Sequence, residues 1–326
     1  MPTAARPAPE SAEQALRRLE WTVLRRLDGL LQGDYRTLLR GAGLDLADLR
    51  EYQPGDDIRY IDWNVTARVN TPYIRQYVED RDITAWFLLD LSPSVDFGTV
   101  NSLKRDCLVH FVTVMARLLT RHGNRVGAII YGSRVERIIP ARGGRLQVLR
   151  LINDLLKQPH LERSPVTDLN ALLATAFNSI KRRSLIFVVS DFFSSPGWER
   201  PLGLLSQRHE VLAVRLWDPR EIELPDIGMV IMEDAETGEQ LFVDTHEKKF
   251  RVHFKAAAER RQAALDSAFR QASVDVLPLS TEDDLVRAIV SFAARRKQRK
   301  QISSVKLAGQ VSQNSTVGAR VLDLKR

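Results

Sequence analysis

The hydrophobic positions change period several times along this chain, and each change marks an element. Leu16, Leu19, Val23, Leu24, Leu27, Leu30 and Leu31 recur at helical spacing, which predicts a helix from Ala12 to about Leu31. Residues 33–81 break that rhythm with short apolar patches, Gly41, Gly43, the turn signal Pro54-Gly55-Asp56-Asp57 and many Arg and Asp residues. They read as loops and short strands laid against another domain. From Ile83 onward, continuous apolar runs alternate with amphipathic stretches. Ala85-Trp86-Phe87-Leu88-Leu89 predicts a buried strand ending in Asp90, and further strands are expected at 126–131, 135–139, 185–189, 211–217 and 274–277. Helices are expected at about 101–121, 144–157, 168–182, 198–208, 246–272 and 282–296.

Apolar strands separated by amphipathic helices predict an α/β fold, a doubly wound, mostly parallel sheet covered on both faces in three layers. The short Gly132-Ser133 connection between two strands predicts one antiparallel edge strand. Pro219, Pro225, Gly228 and Gly238 surround two short apolar runs within 218–245, which predicts a small hairpin leaving the sheet. Four segments follow. They are a disordered start with the N-terminal helix (1–32), an accessory segment (33–82), the α/β domain (83–298) and a flexible basic and polar tail (299–326).

Composition narrows the class. A chain of 326 residues with 44% hydrophobic content can bury a sizeable core. No run reaches the roughly 18 apolar residues of a membrane-spanning helix, and the start, MPTAARPAPESAEQ, lacks the pattern of a signal peptide, so the expected address is the cytoplasm. The single cysteine excludes an internal disulfide framework and Cys-based zinc clusters, and Cys107 falls among Leu103, Leu108, Phe111, Val112 and Met115 as a core thiol. The net charge of +7 draws part of its excess from Arg295, Arg296, Lys297, Arg299 and Lys300. That cluster reads as a solvated tail, with contact to nucleic acid or acidic lipid headgroups as the alternative.

The candidate chemistry lies where strands end. In a parallel sheet, ligands gather beyond the carboxyl ends of the strands. Three segments place oxygen ligands there: Asp90-Leu91-Ser92-Pro93-Ser94 after the first strand, Thr167 before the 168–182 helix, and Asp191 after the 185–189 run. In an Asp-x-Ser-x-Ser turn, alternate residues face one point, so a carboxylate and two hydroxyls converge. Such a set suits Mg2+ or Mn2+, hard ions that take oxygen ligands and keep several waters. Asp90, Ser92, Ser94, Thr167 and Asp191 would leave one position open for a partner's carboxylate. Taken singly, each residue could merely cap a helix or close a turn. Their joint order is what points to a site.

With these residues in place, the chain resembles a von Willebrand factor A-type domain, whose metal-ion-dependent adhesion site has this triad of segments. The upstream run Arg50-Glu51-Tyr52-Gln53-Pro54-Gly55-Asp56-Asp57-Ile58-Arg59-Tyr60-Ile61-Asp62-Trp63, followed by Arg68 and Arg75, resembles the signature of a bacterial family of unknown function encoded beside MoxR-type AAA+ ATPases. The two regions cover roughly residues 33–215. The resemblance implies a protein-binding role with a MoxR-type ATPase in assembling, loading or remodelling a client protein. Many relatives carry an N-terminal membrane hairpin that this sequence lacks, so a soluble short form is expected. Within the signature, Pro54-Gly55 suits a turn, Asp56, Asp57 and Asp62 can pair with Arg59, Arg68 or Arg75, and Trp63 offers apolar surface. A structural brace is the plainer reading of the signature, and a partner surface is the other.

Three functions therefore compete. The first is a non-enzymatic, metal-dependent protein-binding module. The second is a metal-assisted phosphohydrolase with Asp90 as nucleophile; against it, Leu91, Ser92 and Pro93 supply no lysine or general acid. There is also no Gly-x-x-x-x-Gly-Lys-Ser/Thr segment, and the six histidines show no metalloprotease pairing. The third is binding of nucleic acid or lipid headgroups through residues 295–300, where the lack of aromatic residues argues against single-strand stacking.

Overall fold

The computed structural model describes residues 11–27, 48–53, 56, 58, 61, 63–69, 71–76, 83–99, 102–161, 166–234, 236–296 and 298. Two compact units result, one from Met1–Leu30 and Asp82–Val290 and one from Leu31–Arg81 and Ser291–Arg326. The expected disordered start and the tail from 299 lie outside the described residues.

The first unit is built on a six-stranded sheet of β3 (Thr84–Asp90), β4 (Arg125–Tyr131), β5 (Val135–Arg142), β6 (Leu185–Ser190), β7 (Glu210–Trp217) and β10 (Asp275–Ser280). The spatial order is β10-β7-β6-β3-β4-β5, parallel throughout except for the antiparallel edge strand β5. This is the doubly wound, mostly parallel sheet with one antiparallel edge strand that the sequence predicts. From β3 the chain winds outward through β4 to β5, then crosses back to β6 on the other side of β3. The carboxyl ends of β3 and β6 therefore meet at the topological switch, where a crevice opens in such sheets.

Both faces are covered, which explains why the central strands are apolar without alternation. Leu88, Ile129, Ile186, Val188 and Ala213 point to one face, against α5 (Leu169–Ser179), α6 (Glu199–Arg208) and α7 (Lys248–Gln271). On the other face Phe87 stacks on Phe187 at 5.1 Å, and Phe111 meets Phe187 edge-on at 5.8 Å. Phe111 belongs to α3 (Lys104–Arg121), which α1 (Ala12–Leu19) and α4 (Arg145–Leu156) cover in turn. A capping box between Ser11 and Gln14 starts α1, and a π-helical turn at Glu20–Leu24 carries the helix on through residue 27. Leu16, Leu19, Leu24 and Leu27 are buried; residues 28–31 of the expected helix lie outside the described residues.

Several details differ from expectation. The last strand, expected over 274–277, spans Asp275–Ser280; Pro278, which has no amide to donate, is tolerated within it because β10 is an edge strand, paired only with β7. The helix expected to reach 182 ends at Ser179, with Ile180 already extended at its C-cap. Cys107 is half-buried rather than a full core residue, and its thiol donates to the Ser280 carbonyl at 3.8 Å. Burial raises its pKa, which fits an unreactive thiol. The 218–245 excursion holds the separate antiparallel hairpin β8 (Met229–Glu233) and β9 (Gln240–Asp244).

The second unit contains the antiparallel pair β1 (Asp48–Glu51) and β2 (Tyr73–Gln76). Between them lies α2 (Trp63–Val69), a helix where only loops and short strands were expected. The Thr66 hydroxyl accepts the Tyr73 amide and ties this helix to β2. A helix α8 over 285–296 keeps Arg295 exposed and Arg296 buried, so the basic cluster is not a wholly solvated tail. Lys297, Arg299 and Lys300 lie outside the described residues.

Truncating Phe187 removes the ring on which both Phe87 and Phe111 rest. Phe187→Ala is expected to destabilise the protein by about 3–5 kcal/mol in urea denaturation, against within about 0.5 kcal/mol for Leu146→Ala on the surface.

Candidate functional site

The end of β3 forms a short loop around its own carboxylate. Asp90 Oδ1 accepts the Ser92 amide at 3.0 Å, and the loop then enters a 3-10 turn, Pro93–Asp96, with Pro93 at its start. Pro93 stiffens the loop without cost because the first helical position needs no N–H. The hydroxyls of Ser92 and Ser94 lie 3.1 Å apart, so the Asp-x-Ser-x-Ser spacing brings both to one place. Asp90 Oδ2 accepts the Ser190 hydroxyl at 2.6 Å, which joins β3 to the end of β6.

Beyond β6 the chain turns through Phe192, a non-glycine residue at φ 60°. A phenylalanine in the left-handed region costs roughly 1–2 kcal/mol, and packing offsets it. The Phe192 ring centroid lies 5.3 Å from Trp198 and 4.9 Å from Phe269. This turn sets the two residues before it to different tasks. Ser190 reaches Asp90, whereas Asp191 turns to Lys104: Asp191 Oδ1 accepts the Phe193 amide at 3.0 Å, and Oδ2 accepts Lys104 Nζ at 2.6 Å. Glu221 takes the same amine at 2.6 Å. Burial works against the charged amine, but the two carboxylates outweigh it and hold the Lys104 pKa above the ordinary lysine value.

Thr167 is fixed by the same loops. Its carbonyl accepts the Ser194 hydroxyl and the Ser195 amide, each at 2.9 Å, just before Asp168 caps α5 by accepting the Asn170 amide. The Asp168 amide donates to the Tyr131 hydroxyl at 2.9 Å. Burial first, and then the charges of Asp90, Asp168 and Glu236, raise the Tyr131 pKa, so these carboxylates share one neighbourhood. The amide and hydroxyl of Thr167 both donate to Glu236 Oε1, at 3.0 and 2.6 Å.

The five residues singled out from sequence fall into three groups on the loops that follow β3, follow β6 and precede α5: Asp90 with Ser92 and Ser94, Asp191 with Lys104, and Thr167 with Glu236. Asp90, Ser92, Thr167 and Asp191 are all buried. Among the described residues no group of three or more His, Cys, Asp and Glu side chains is placed to hold a metal ion, so hydroxyl oxygens would have to complete any such site.

The donor set fits a hard divalent cation on one observation. Asp90 is fully buried, yet its carboxylate meets only neutral donors, with no cation at ion-pair distance among the described residues. Burial first and the charge of Asp191 second push its pKa up to about 6. Asp191, by contrast, is already neutralised by Lys104, which suits an indirect role through water. Ser94, Lys104, Ser194 and Glu236 line a neighbouring cavity of about 430 Å³ that Phe97 and Phe193 make largely apolar.

Sequence reasoning missed Lys104, Ser190, Glu221 and Glu236. Lys104 and Ser190 carried a readable signal, since one opens the helix after the Asp90 loop and the other directly precedes Asp191. Glu221 and Glu236 carried none, because nothing in their spacing points back to the sheet edge. Of the upstream signature, Asp56 Oδ2 accepts the Gln53 amide at 2.9 Å, Trp63 stands 69% exposed on α2, and Arg68 is exposed. Arg75 lies on β2, while Pro54, Gly55, Asp57, Arg59 and Asp62 lie outside the described residues.

A family model described as a protein of unknown function, DUF58, matches residues 48–264, from β1 into α7. The chain belongs to this family. It is 37% identical over 286 residues to uncharacterized proteins of Mycobacterium bovis and Mycobacterium tuberculosis, spanning 87% of this chain and 89% of theirs. Similar solved structures include BatB from Bacteroides thetaiotaomicron, 12% identical with a TM-score of 0.42. Another is an aerotolerance-related membrane protein from Bacteroides fragilis, 12% identical with a TM-score of 0.45. Each covers 66% of this chain and 99% of its own. No helix among the described residues of this DUF58 chain is long and apolar enough to cross a membrane.

The raised Asp90 pKa has a testable sign. A folded carboxyl that titrates near 6 holds its proton after the unfolded chain has released it near 3.8, so stability falls as pH rises through that window. Above pH 6 the ionised Asp90 costs the metal-free protein on the order of 1–3 kcal/mol. Asp90→Asn is therefore expected to raise the unfolding free energy in EDTA at pH 7.5 and to leave it nearly unchanged at pH 4, where the wild-type carboxyl is protonated. Equal effects at the two pH values would mean that charge is not the cause.

Proposed function

We propose that this chain is a metal-dependent protein-binding module rather than an enzyme, and that it serves a MoxR-type AAA+ ATPase in assembling or remodelling a client protein. The observation that carries this reading is the buried Asp90 carboxylate without a cationic partner, beside the paired hydroxyls of Ser92 and Ser94. Asp90, Ser92, Ser94 and Thr167 would hold Mg2+ or Mn2+, with Asp191 acting through water. When bound, the ion would supply a positive charge that accepts a carboxylate from the client. The chain's own residues prepare that encounter. Ser92 and Ser190 orient Asp90, Lys104 keeps Asp191 in place, and Phe97 and Phe193 make the adjoining cavity a dry wall against which a partner side chain can settle. Water exclusion strengthens the attraction between an ion and an incoming carboxylate.

One observation favours a second reading. The structure brings a lysine, Lys104, to the site, where the residues next to Asp90 in sequence offered none. A metal-assisted phosphohydrolase with Asp90 as nucleophile would use that amine to steady a phosphoryl group. Both oxygens of the adjacent carboxylates that face the amine already hold it, so we rank this reading below the binding module.

Immobilised full-length chain is expected to retain the MoxR-type ATPase of the same genome in Mg2+ and to lose it in EDTA or as Asp90→Ala. Equal retention in all three conditions removes the metal dependence. Turnover of a phosphate ester by the wild type, abolished in Asp90→Asn, would favour the second reading instead.

A further inference from the structure

We propose that Glu236 is a built-in carboxylate for the Thr167 side of the metal site, so that a partner's acidic residue must displace it before binding. The inference rests on the metal-dependent reading above and adds to it a residue of this chain that selects which partner enters.

The contact is specific and long-range. Glu236 lies 69 residues from Thr167, yet one of its oxygens takes both the amide and the hydroxyl of that residue, at 3.0 and 2.6 Å. Its other oxygen accepts no hydrogen bond from the described residues. A carboxylate held at one oxygen and open at the other can still take up a cation. Glu236 also lines the same cavity as Ser94 of the Asp90 loop and Ser194 of the Thr167 loop.

The hairpin presents this carboxylate on a stiff turn. Asp234 Oδ1 accepts the amide of Glu236 at 3.1 Å, the amide of Thr237 at 2.7 Å and the Thr237 hydroxyl at 2.9 Å. Gly238 closes the turn at φ 72°, where other residues are strained. The rest of the hairpin is loosely held. Val243 is the one buried residue of β8 and β9, while Met229, Ile231 and Phe242 are more than half exposed. A rigid tip on a lightly anchored stem suits a ligand that can leave as a unit, because few buried contacts oppose the motion.

A tethered carboxylate acts at an effective concentration in the mM range or above. Where that effective concentration is about ten times the tethered carboxylate's own dissociation constant, the competition weakens binding of a free carboxylate by about tenfold. Partners are then selected by what they offer besides the carboxylate, such as apolar side chains for the walls around Phe97 and Phe193.

The test uses full-length wild type, Glu236→Gln and Asp234→Ala, with Mn2+ as the metal and acetate as the carboxylate probe. Calorimetry reads Mn2+ affinity, and water-proton relaxation of bound Mn2+ reads acetate binding. Glutamine keeps an oxygen for the two Thr167 donors, so the brace survives while the charge is lost. Acetate is expected to bind Mn2+-loaded Glu236→Gln about tenfold tighter than wild type. Asp234→Ala, which loosens the turn and leaves Glu236 in place, should give a smaller gain in the same direction. If all three proteins bind Mn2+ and acetate with the same constants, Glu236 is only a brace and the inference is wrong. If none of them takes up Mn2+, the metal-dependent reading fails and this inference falls with it.

Discussion

The arrangement at the sheet edge depends on one unresolved charge. Parallel neighbours β3 and β6 end side by side, and each carries a carboxylate at or just past its last residue, Asp90 and Asp191. Two buried carboxylates at adjacent strand ends repel, and burial removes the water that would screen them. The chain settles one of the two by burying Lys104 against Asp191. It leaves the other with hydroxyl and amide donors alone. Folding does not require this imbalance, since any lysine or arginine reaching Asp90 would relieve it. Retained charge of this kind is what a site for an external cation needs.

The loops around the edge are organised to hold that imbalance in place. Phe192 accepts a left-handed conformation so that Ser190 and Asp191 face different partners, and the aromatic packing of Trp198 and Phe269 offsets the strain. Ser194 and Ser195 then lace the Asp191 loop to Thr167. Local backbone strain compensated by nearby packing is common where side-chain placement matters more than stability. The sheet topology thus explains where these side chains lie, and these particular contacts explain what holds them there.

Much of this was legible in the sequence because the signals were local. Uninterrupted runs such as Leu185-Ile186-Phe187-Val188-Val189, alternating with amphipathic stretches, read as strands covered on both faces, and the short Gly132-Ser133 link reads as joining antiparallel neighbours. The same locality revealed Asp90, Ser92 and Ser94, whose spacing alone turns them to one side. What stayed hidden depends on contacts between distant segments. Lys104 meets Asp191 across 87 positions and Glu221 across 117, and Glu236 meets Thr167 across 69. No periodicity encodes such pairings. The helix at Trp63–Val69 escaped notice for a different reason, since a seven-residue helix among turn residues carries too few periods to stand out.

A second solvent-inaccessible aspartate in the same unit, less deeply enclosed, shows what a full set of donors does for such a carboxylate. Asp218 is equally inaccessible, and burial works to raise its pKa as well. It nevertheless lies below the usual carboxylate value, because it accepts the amide and hydroxyl of Thr99, the hydroxyl of Thr281 and the amide of Arg220. Those four donors tie three segments together and complete the carboxylate's hydrogen bonding, so Asp218 is a structural clamp with nothing left to offer. Asp90 is given fewer donors and a like charge for a neighbour. The fold can satisfy a buried carboxylate fully: the hydrogen bonding of Asp218 is complete, while that of Asp90 is not. Stabilisation withheld at Asp90, which also lies deeper than Asp218, is available to whatever cation arrives, and that difference between two solvent-inaccessible aspartates is the physical basis for reading the β3/β6 edge as a binding site.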